Sequence, residues 1–154
     1  MRITKGTISM ALILSAAGAP LLAAQAPAMK WGPAPAVFPV GAKMAVLDGD
    51  PGKAEQFTVR LDFPKGYTIP AHFHPTDEVI TVIKGTFQVG MGDKLDLKNM
   101  MALPSGGLVV ARAKMNHFAR AKEHTVVQVS AMGPFAMTYV NAADNPANKV
   151  MGKK

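Results

Sequence analysis

The chain has 154 residues, the size of one ordinary domain, and it contains no cysteine. Disulfides and thiolate chemistry are therefore excluded, and any bound metal must be held by nitrogen and oxygen atoms. The 17 basic and 10 acidic residues give a formal net charge of +7. The basic residues are scattered, without an Arg/Lys run or interleaved aromatic residues, so nucleic acid is not expected as a partner. A small molecule is the expected partner.

The first 26 residues have the pattern of a secretory leader. Arg2 and Lys5 precede an apolar, alanine-rich run, and small residues follow in "AAQAPA". The alternative is a membrane anchor, but serine, glycine and proline interrupt the run, which falls short of the roughly 20 residues needed to span a bilayer. We therefore predict a signal peptide over residues 1–26, and a mature protein that is periplasmic or secreted and not anchored in the membrane.

Residues 27–43 form a proline-rich segment. Closely spaced prolines exclude a helix and predict an extended arm. Trp31 and Phe38 give this arm apolar side chains, which we expect to pack on the outside of the domain. The alternative is that they form the contact of a homodimer.

From Met44 onward the sequence has short strand patterns separated by turn residues. In "EQFTVRLDF" apolar and polar side chains alternate, as in a half-buried strand, and "EVITVIKG", "TFQVGMGDK", "GGLVVAR" and "HTVVQVSAMGPFAMTYVN" are similar. The helical candidate is the short "LDLKNMMA". Regularly spaced short strands predict an all-β sandwich or barrel over residues 44–140, followed by a C-terminal tail, residues 141–154.

Two of the four histidines lie in "GYTIPAHFHPTDEVITVIKG", residues 66–85. Because side chains alternate along a strand, the even positions from Thr68 to His74 should share one face, and Glu78 should share it on the next strand unless a bulge at "PTD" intervenes. Inside a barrel, such a glutamate is costly unless it is paired or bound to a metal. A hydrogen-bonded polar core or a surface histidine pair is the alternative, but the spacing of His72, His74 and Glu78 favours a metal site.

This stretch resembles the first motif of the cupin superfamily. That motif reads Gly, five residues, His, one residue, His, three or four residues, Glu, six residues, Gly. Every spacing is met here, by Gly66, His72, His74, Glu78 and Gly85. The resemblance covers most of the chain after the arm and implies a small antiparallel β-barrel of the jelly-roll type.

The second cupin motif is present only in part. It reads Gly, five residues, Pro, one residue, Gly, two residues, His, three residues, Asn. Counting from Gly106 places Arg112, Lys114, His117 and Ala121 at the last four positions. The histidine is kept and the turn residues are not, so the departures concern the shape of the loop before His117 rather than the ligand.

The resemblance implies a site in which His72, His74, Glu78 and His117 hold one divalent transition metal. Zn, Cu, Mn, Fe and Ni all suit these ligands. Four ligands leave two positions of an octahedron open for water, dioxygen or a bidentate substrate.

Three functions are compatible with such a site. The one we favour is a metal-dependent enzyme of the dioxygenase, isomerase or lyase type that acts on a small oxygen-bearing organic molecule. The second is a protein that binds a metal or a small metabolite without turning it over. The third is a structural barrel whose metal only secures the fold. Beyond the ligands, no residue stands out in the sequence as a general acid or base.

Four further residues are candidates for a substrate pocket. Gln128 lies mid-strand between apolar residues and is expected to donate a hydrogen bond into the cavity or to a ligand. Arg112 and Lys114 are expected to place positive charge near the cavity mouth, a solvated loop being the alternative. Met115 is expected to line an adaptable apolar pocket, unless it only fills space.

Overall fold

The computed structural model describes residues 29–151, with side chains as far as residue 148. The predicted leader, residues 1–26, lies outside the described residues. The described part of the chain contains eleven strands, one 3₁₀ turn and one short helix. The strands are β1 (Gly32–Pro33), β2 (Lys43–Asp48), β3 (Gln56–Phe63), β4 (Thr68–Phe73), β5 (Glu78–Lys84), β6 (Thr86–Met91), β7 (Met101–Pro104), β8 (Leu108–Ala111), β9 (His117–Ala121), β10 (Thr125–Met132) and β11 (Thr138–Tyr139). The 3₁₀ turn spans Ala142–Asp144, and helix α1 spans Pro146–Met151.

The strands form two antiparallel sheets. The six-stranded sheet has the order β1-β2-β3-β10-β5-β8, and the five-stranded sheet has the order β11-β4-β9-β6-β7. Inward side chains from both sheets make one hydrophobic core. The prediction of an all-β antiparallel barrel of the jelly-roll type is confirmed.

Strict alternation of side chains builds this core. Strand β3 buries Phe57, Val59, Leu61 and Phe63 and leaves the residues between them partly exposed. Strand β10, which pairs with β3 along its whole length, alternates in the same way. Burying one phenylalanine such as Phe57 contributes roughly 1.5–3 kcal/mol, so the inward faces of these strands hold the two sheets together.

The helical candidate "LDLKNMMA" does not form a helix. Its first part is a turn, in which the Asp96 carboxylate accepts hydrogen bonds from the backbone N–H of Lys98 and the side-chain amide of Asn99. Such side-chain bonds favour a turn over a helix. The last residues of the segment begin strand β7 at Met101. Within residues 29–151, no helix is long and apolar enough to cross a membrane.

The expected parity of strand β4 fails in its first half. Ile69 lines the interior together with His72, whereas Thr68 and Pro70 face outward and are half-buried. The pairing of β4 with β9 shifts register between Ile69 and His72. Pro70 has no N–H to donate to the ladder, which is a reason for an irregularity at this point. After the shift, His72 and His74 share the interior face, and Glu78 faces the same interior from β5.

Candidate metal centre

Three strands bring the polar residues of the interior together. His72 near the end of β4 is the direct neighbour of His117 at the start of β9. His74 follows β4 by one residue, and Glu78 is the first residue of β5. The exposed fractions of these four residues are 2, 4, 6 and 3% for His72, His74, Glu78 and His117. The ring nitrogens that the three histidines offer all lie within 4.8 Å of one another, which is close enough to share one metal ion.

Each imidazole is held by a backbone carbonyl. The Nδ1–H groups of His72, His74 and His117 donate to the carbonyl oxygens of Pro70 at 2.7 Å, Ala136 at 2.8 Å and Met115 at 3.0 Å. A carbonyl oxygen can only accept, so the proton of each neutral ring resides on Nδ1 and the lone pair on Nε2. This arrangement fixes the tautomer and the ring orientation that a histidine needs to bind a metal through Nε2.

Burial keeps the three imidazoles neutral. Burial, followed by the neighbouring rings of His117 and His74, lowers the pKa of His72 to about 3. Burial likewise lowers the pKa of His74 to about 4 and lowers the pKa of His117. A neutral imidazole is the form that coordinates a metal, so at neutral pH the site does not have to lose protons from its histidines before it binds a cation.

Glu78 lies beside the triad but outside the cluster that the three histidines form. Its Oε1 is 3.4 Å from Nδ1 of His74, whose hydrogen is already donated to the carbonyl of Ala136. The carboxyl group therefore gains little from this neighbour, and burial raises its pKa to about 8. The structure thus brings three of the four expected ligands together and places Glu78 beside them. A cation bound at the triad would favour the ionised carboxylate form of Glu78.

The triad opens onto a cavity of about 280 Å³. Apart from the three histidines and Glu78, the side chains on its wall are apolar. Aliphatic residues of both sheets make up much of the wall, and five phenylalanines complete it: Phe38, Phe57, Phe63, Phe87 and Phe135. Among the described residues, a ligand in this space therefore meets polar side chains at the metal centre alone.

The four pocket candidates from the sequence lie outside the cavity lining. Gln128 is on the outer face of β10, where its side-chain oxygen accepts from Nε of Arg60 at 3.3 Å. The apolar neighbours of Gln128 face inward, and strand alternation turns Gln128 away from them. Arg112 and Lys114 are exposed, and Met115 is 49% exposed.

The phenylalanine side chains that line the cavity were not predicted from the sequence. Phe57 could have been found, because it belongs to the inward set of β3. Phe38, in the segment expected to pack on the outside, instead reaches the cavity and stacks on Phe135, with ring centroids 5.7 Å apart. Neither Phe38 nor Phe135 lies in one of the strands, so no periodic signal predicted this contact.

The loop before His117 keeps a left-handed turn without the motif's glycine. Lys114 stands at the glycine position with φ of 61°, and its N–H donates to the carbonyl of His74 at 2.8 Å. Asp77 secures the same loop by accepting from the Arg112 guanidinium and from the N–H of Ala113, each at 2.7 Å. The N–H of Ala113 and the guanidinium of Arg112 lower the pKa of Asp77. The altered second motif therefore still positions His117 beside the other two histidines.

The comparison with protein families agrees with the fold. The family described as the ChrR cupin-like domain matches residues 21–136. The chain therefore belongs to this family of the cupin superfamily. No curated protein sequence matches the chain.

Solved structures with this fold include proteins of several organisms. An RmlC-like cupin from Shewanella frigidimarina is 22% identical, with a TM-score of 0.51 over 60% of this chain and 76% of that one. A provisionally assigned acetylacetone dioxygenase from Methylibium petroleiphilum is 18% identical, with a TM-score of 0.58 over 94% of this chain and 90% of that one. Salicylate 1,2-dioxygenase from Pseudoaminobacter salicylatoxidans is 12% identical, with a TM-score of 0.54 over 65% of this chain and 29% of that one. At these identities the likeness shows a shared fold.

Proposed function

We propose that the protein is a metal-dependent enzyme of the dioxygenase, isomerase or lyase type that acts on a small oxygen-bearing organic molecule. The observation that carries this proposal is the buried triad of His72, His74 and His117, with neutral rings whose Nδ1–H groups are bound to backbone carbonyls. This leaves three Nε2 lone pairs for one divalent metal, with Glu78 as the fourth ligand. Zn, Cu, Mn, Fe and Ni all suit this set of donors.

The arrangement of the cavity suggests separate roles for the metal, the backbone carbonyls and the apolar wall. A divalent metal held by the triad would act as a Lewis acid toward a substrate oxygen or, if it is redox-active, would offer a binding position for dioxygen. The backbone carbonyls of Pro70, Ala136 and Met115 fix the rings, so little reorganisation is needed when a ligand enters. The apolar wall excludes water and orients the body of the substrate.

The dioxygenase type is the first to test. Two of the proteins that share the fold are named for dioxygenase activity, one of them provisionally. A redox-active metal at the triad would also place the site of dioxygen chemistry at the metal itself.

A second candidate is a protein that binds a metal or a small metabolite without turnover. The lack of any acid or base on the described cavity wall beyond the triad and Glu78 favours it. The two candidates differ in whether a bound molecule is chemically changed.

The test of catalysis is dioxygen uptake and substrate loss by protein reconstituted separately with Fe, Mn, Ni, Cu and Zn. The substrates are a panel of dicarbonyl, hydroxy-keto and dihydroxyaromatic compounds, followed by an oxygen electrode and mass spectrometry. We expect turnover with one redox-active metal and its loss in His117→Ala, while His124→Ala, an exposed histidine paired with Asp62 at 3.0 Å, keeps it. Stable metal binding without any turnover across the panel would favour the second candidate.

We also propose that the protein is exported and acts in the periplasm or outside the cell. The support is the leader pattern of residues 1–26, with its basic start, apolar run and small residues. Intact-mass measurement of the protein from a periplasmic extract tests this proposal. A mass that includes the full leader would contradict it.

A further inference from the structure

Away from the metal centre, the cavity wall that the described residues form offers no side-chain partner for a second polar group of a ligand. Its polar side chains, within the part of the chain that the structure describes, are the three histidines and Glu78, all gathered at the metal centre. No lysine, arginine, hydroxyl or amide side chain of the described residues lies on the wall. A carboxylate or phosphate away from the metal centre would be buried without a counter-charge, and a sugar would bury several hydroxyls without hydrogen-bond partners.

The volume limits the size of the ligand. The cavity measures about 280 Å³, whereas an apolar cavity of about 150 Å³ is enough for benzene. On this comparison the space holds a molecule of about ten non-hydrogen atoms, which is larger than benzene and smaller than most cofactors.

Two phenylalanines that belong to different parts of the chain form one side of this space. Phe135 lies 5.7 Å from the His74 ring and meets the edge of Phe57 at 6.5 Å, between ring centroids. Phe38 in turn stacks on Phe135 with an interplanar angle of 5°. Ring contacts therefore connect His74 to Phe135 and Phe135 to Phe38.

The segment that carries Phe38 is held in place on both sides. The carbonyl of Val37 accepts a hydrogen bond from the phenol of Tyr139 at 2.8 Å, and the carbonyl of Pro39 accepts one from the phenol of Tyr67. The chain contains two tyrosines, and both are used here. Phe38, at 6% exposed, is thus a fixed part of the wall.

From these observations we propose that the cavity selects ligands with a single metal-chelating pair of oxygens on an otherwise uncharged, apolar body, and that Phe38 and Phe135 set the length of that body. The inference rests on the proposed metal site, because the chelating pair is bound there. It excludes sugars, phosphates and molecules with a second, distal carboxylate as ligands of this cavity. It deepens the proposed function by naming the chemical class of the substrate.

The first arm of the test compares two matched probes by calorimetry on Zn-loaded protein, in which no redox turnover with dioxygen occurs. One probe is a 1,3-diketone whose alkyl chain ends in an isopropyl group separated from the nearer carbonyl by about two methylene groups, so that it lies away from the metal, and the other has a carboxylate in place of that isopropyl group. We expect the isopropyl compound to bind more than about a hundredfold more tightly, because the carboxylate would be buried unpaired. Equal affinity, or tighter binding of the carboxylate compound, would overturn the proposed selection.

The second arm tests the wall. Phe38→Ala should shift the preference between a short and a longer alkyl diketone toward the longer one by about tenfold or more. Phe38→Leu, a smaller change, covers the case in which the alanine variant does not fold and should shift it in the same direction. Trp31→Ala changes an aromatic residue of the same segment that is 36% exposed and outside the cavity lining. A shift in the Trp31 variant as large as in the Phe38 variants would overturn the role given to Phe38.

Elemental analysis of the same samples distinguishes a failure of the inference about ligands from a failure of the proposed metal site. Protein that contains Zn bound through the triad, yet binds neither diketone, overturns the inference about ligands and leaves the metal site intact. Protein that takes up no Zn overturns the proposed function, and the inference with it.

Discussion

Replacing Glu78 with glutamine should change how the stability of the metal-free protein depends on pH. Burial raises the pKa of the Glu78 carboxyl to about 8, from the value of 4.5 expected in the unfolded chain. The folded state therefore keeps a proton that the unfolded state has lost between about pH 4.5 and pH 8. By linkage, this carboxyl lowers the free energy of unfolding as pH rises through that window. The glutamine side chain of the Glu78→Gln variant does not titrate in that pH window, so the fall in the free energy of unfolding should be absent from the variant.

The size of the effect follows from the two pKa values. A pKa of about 8 against 4.5 corresponds to a difference on the order of 5 kcal/mol in the free energy of unfolding across the window. Water penetration and small movements of the protein reduce such burial costs, so this figure is an upper limit for the measured difference in the free energy of unfolding. The two proteins should have similar stability near pH 5, and the glutamine variant should be the more stable one above about pH 8.

The assay is urea unfolding of chelator-treated protein at a series of pH values. Contributions of the histidines are common to both proteins and cancel in the difference between them. Glu123→Gln neutralises an exposed carboxylate and shows how much a change in net charge contributes by itself. Parallel stability profiles for Glu78→Gln and the original protein would refute the reasoning, because they would mean that Glu78 ionises in the folded state as readily as in the unfolded one.

Other predictions concern the triad, the loop before His117 and the segment that carries Phe38. The lowered pKa values of the buried imidazoles mean that the unfolded state binds more protons below about pH 6.5, so urea midpoints of the metal-free protein should fall as pH decreases from 6.5 toward 4. Lys114→Gly should stabilise the protein by about 0.5–1 kcal/mol by relieving a left-handed backbone, while Lys114→Ala should not; equal effects in urea unfolding would contradict this. Tyr67→Phe and Tyr139→Phe should each cost about 1 kcal/mol in urea unfolding and speed protease cleavage near residue 38, and unchanged cleavage would argue against the role given to the two phenols.

The parts of the fold that could be predicted from the sequence are those with a local cause. Alternation in "EQFTVRLDF" predicted the buried face of β3, because a half-buried strand requires that period. The glycines of the first motif, Gly66 and Gly85, each have φ of 79°, a conformation that other residues rarely adopt. At Gly85 a side chain would also meet the carbonyl of His124 at 2.5 Å, so this position requires glycine for two reasons.

The parts that could not be predicted depend on contacts between distant residues. The register shift near Pro70 reversed the parity of Thr68. A proline inside a strand favours such an irregularity, but the strand pattern does not say on which side of the proline the parity changes. Gln128 was expected to point inward because its neighbours are apolar, yet those neighbours occupy the inner face themselves. Phe38 reaches the cavity because Phe135 offers it a stacking surface, a partner 97 residues further along the sequence.

The most direct test of the central claim is the metal content of untagged protein, measured by elemental mass spectrometry beside three histidine variants. We predict about one divalent transition metal per chain, lost in both His72→Ala and His117→Ala and retained in His124→Ala, whose ring lies on the surface beside Asp62. Protein that contains no metal, or metal that persists after the loss of His72 or His117, would contradict the assignment of the buried triad as a metal centre.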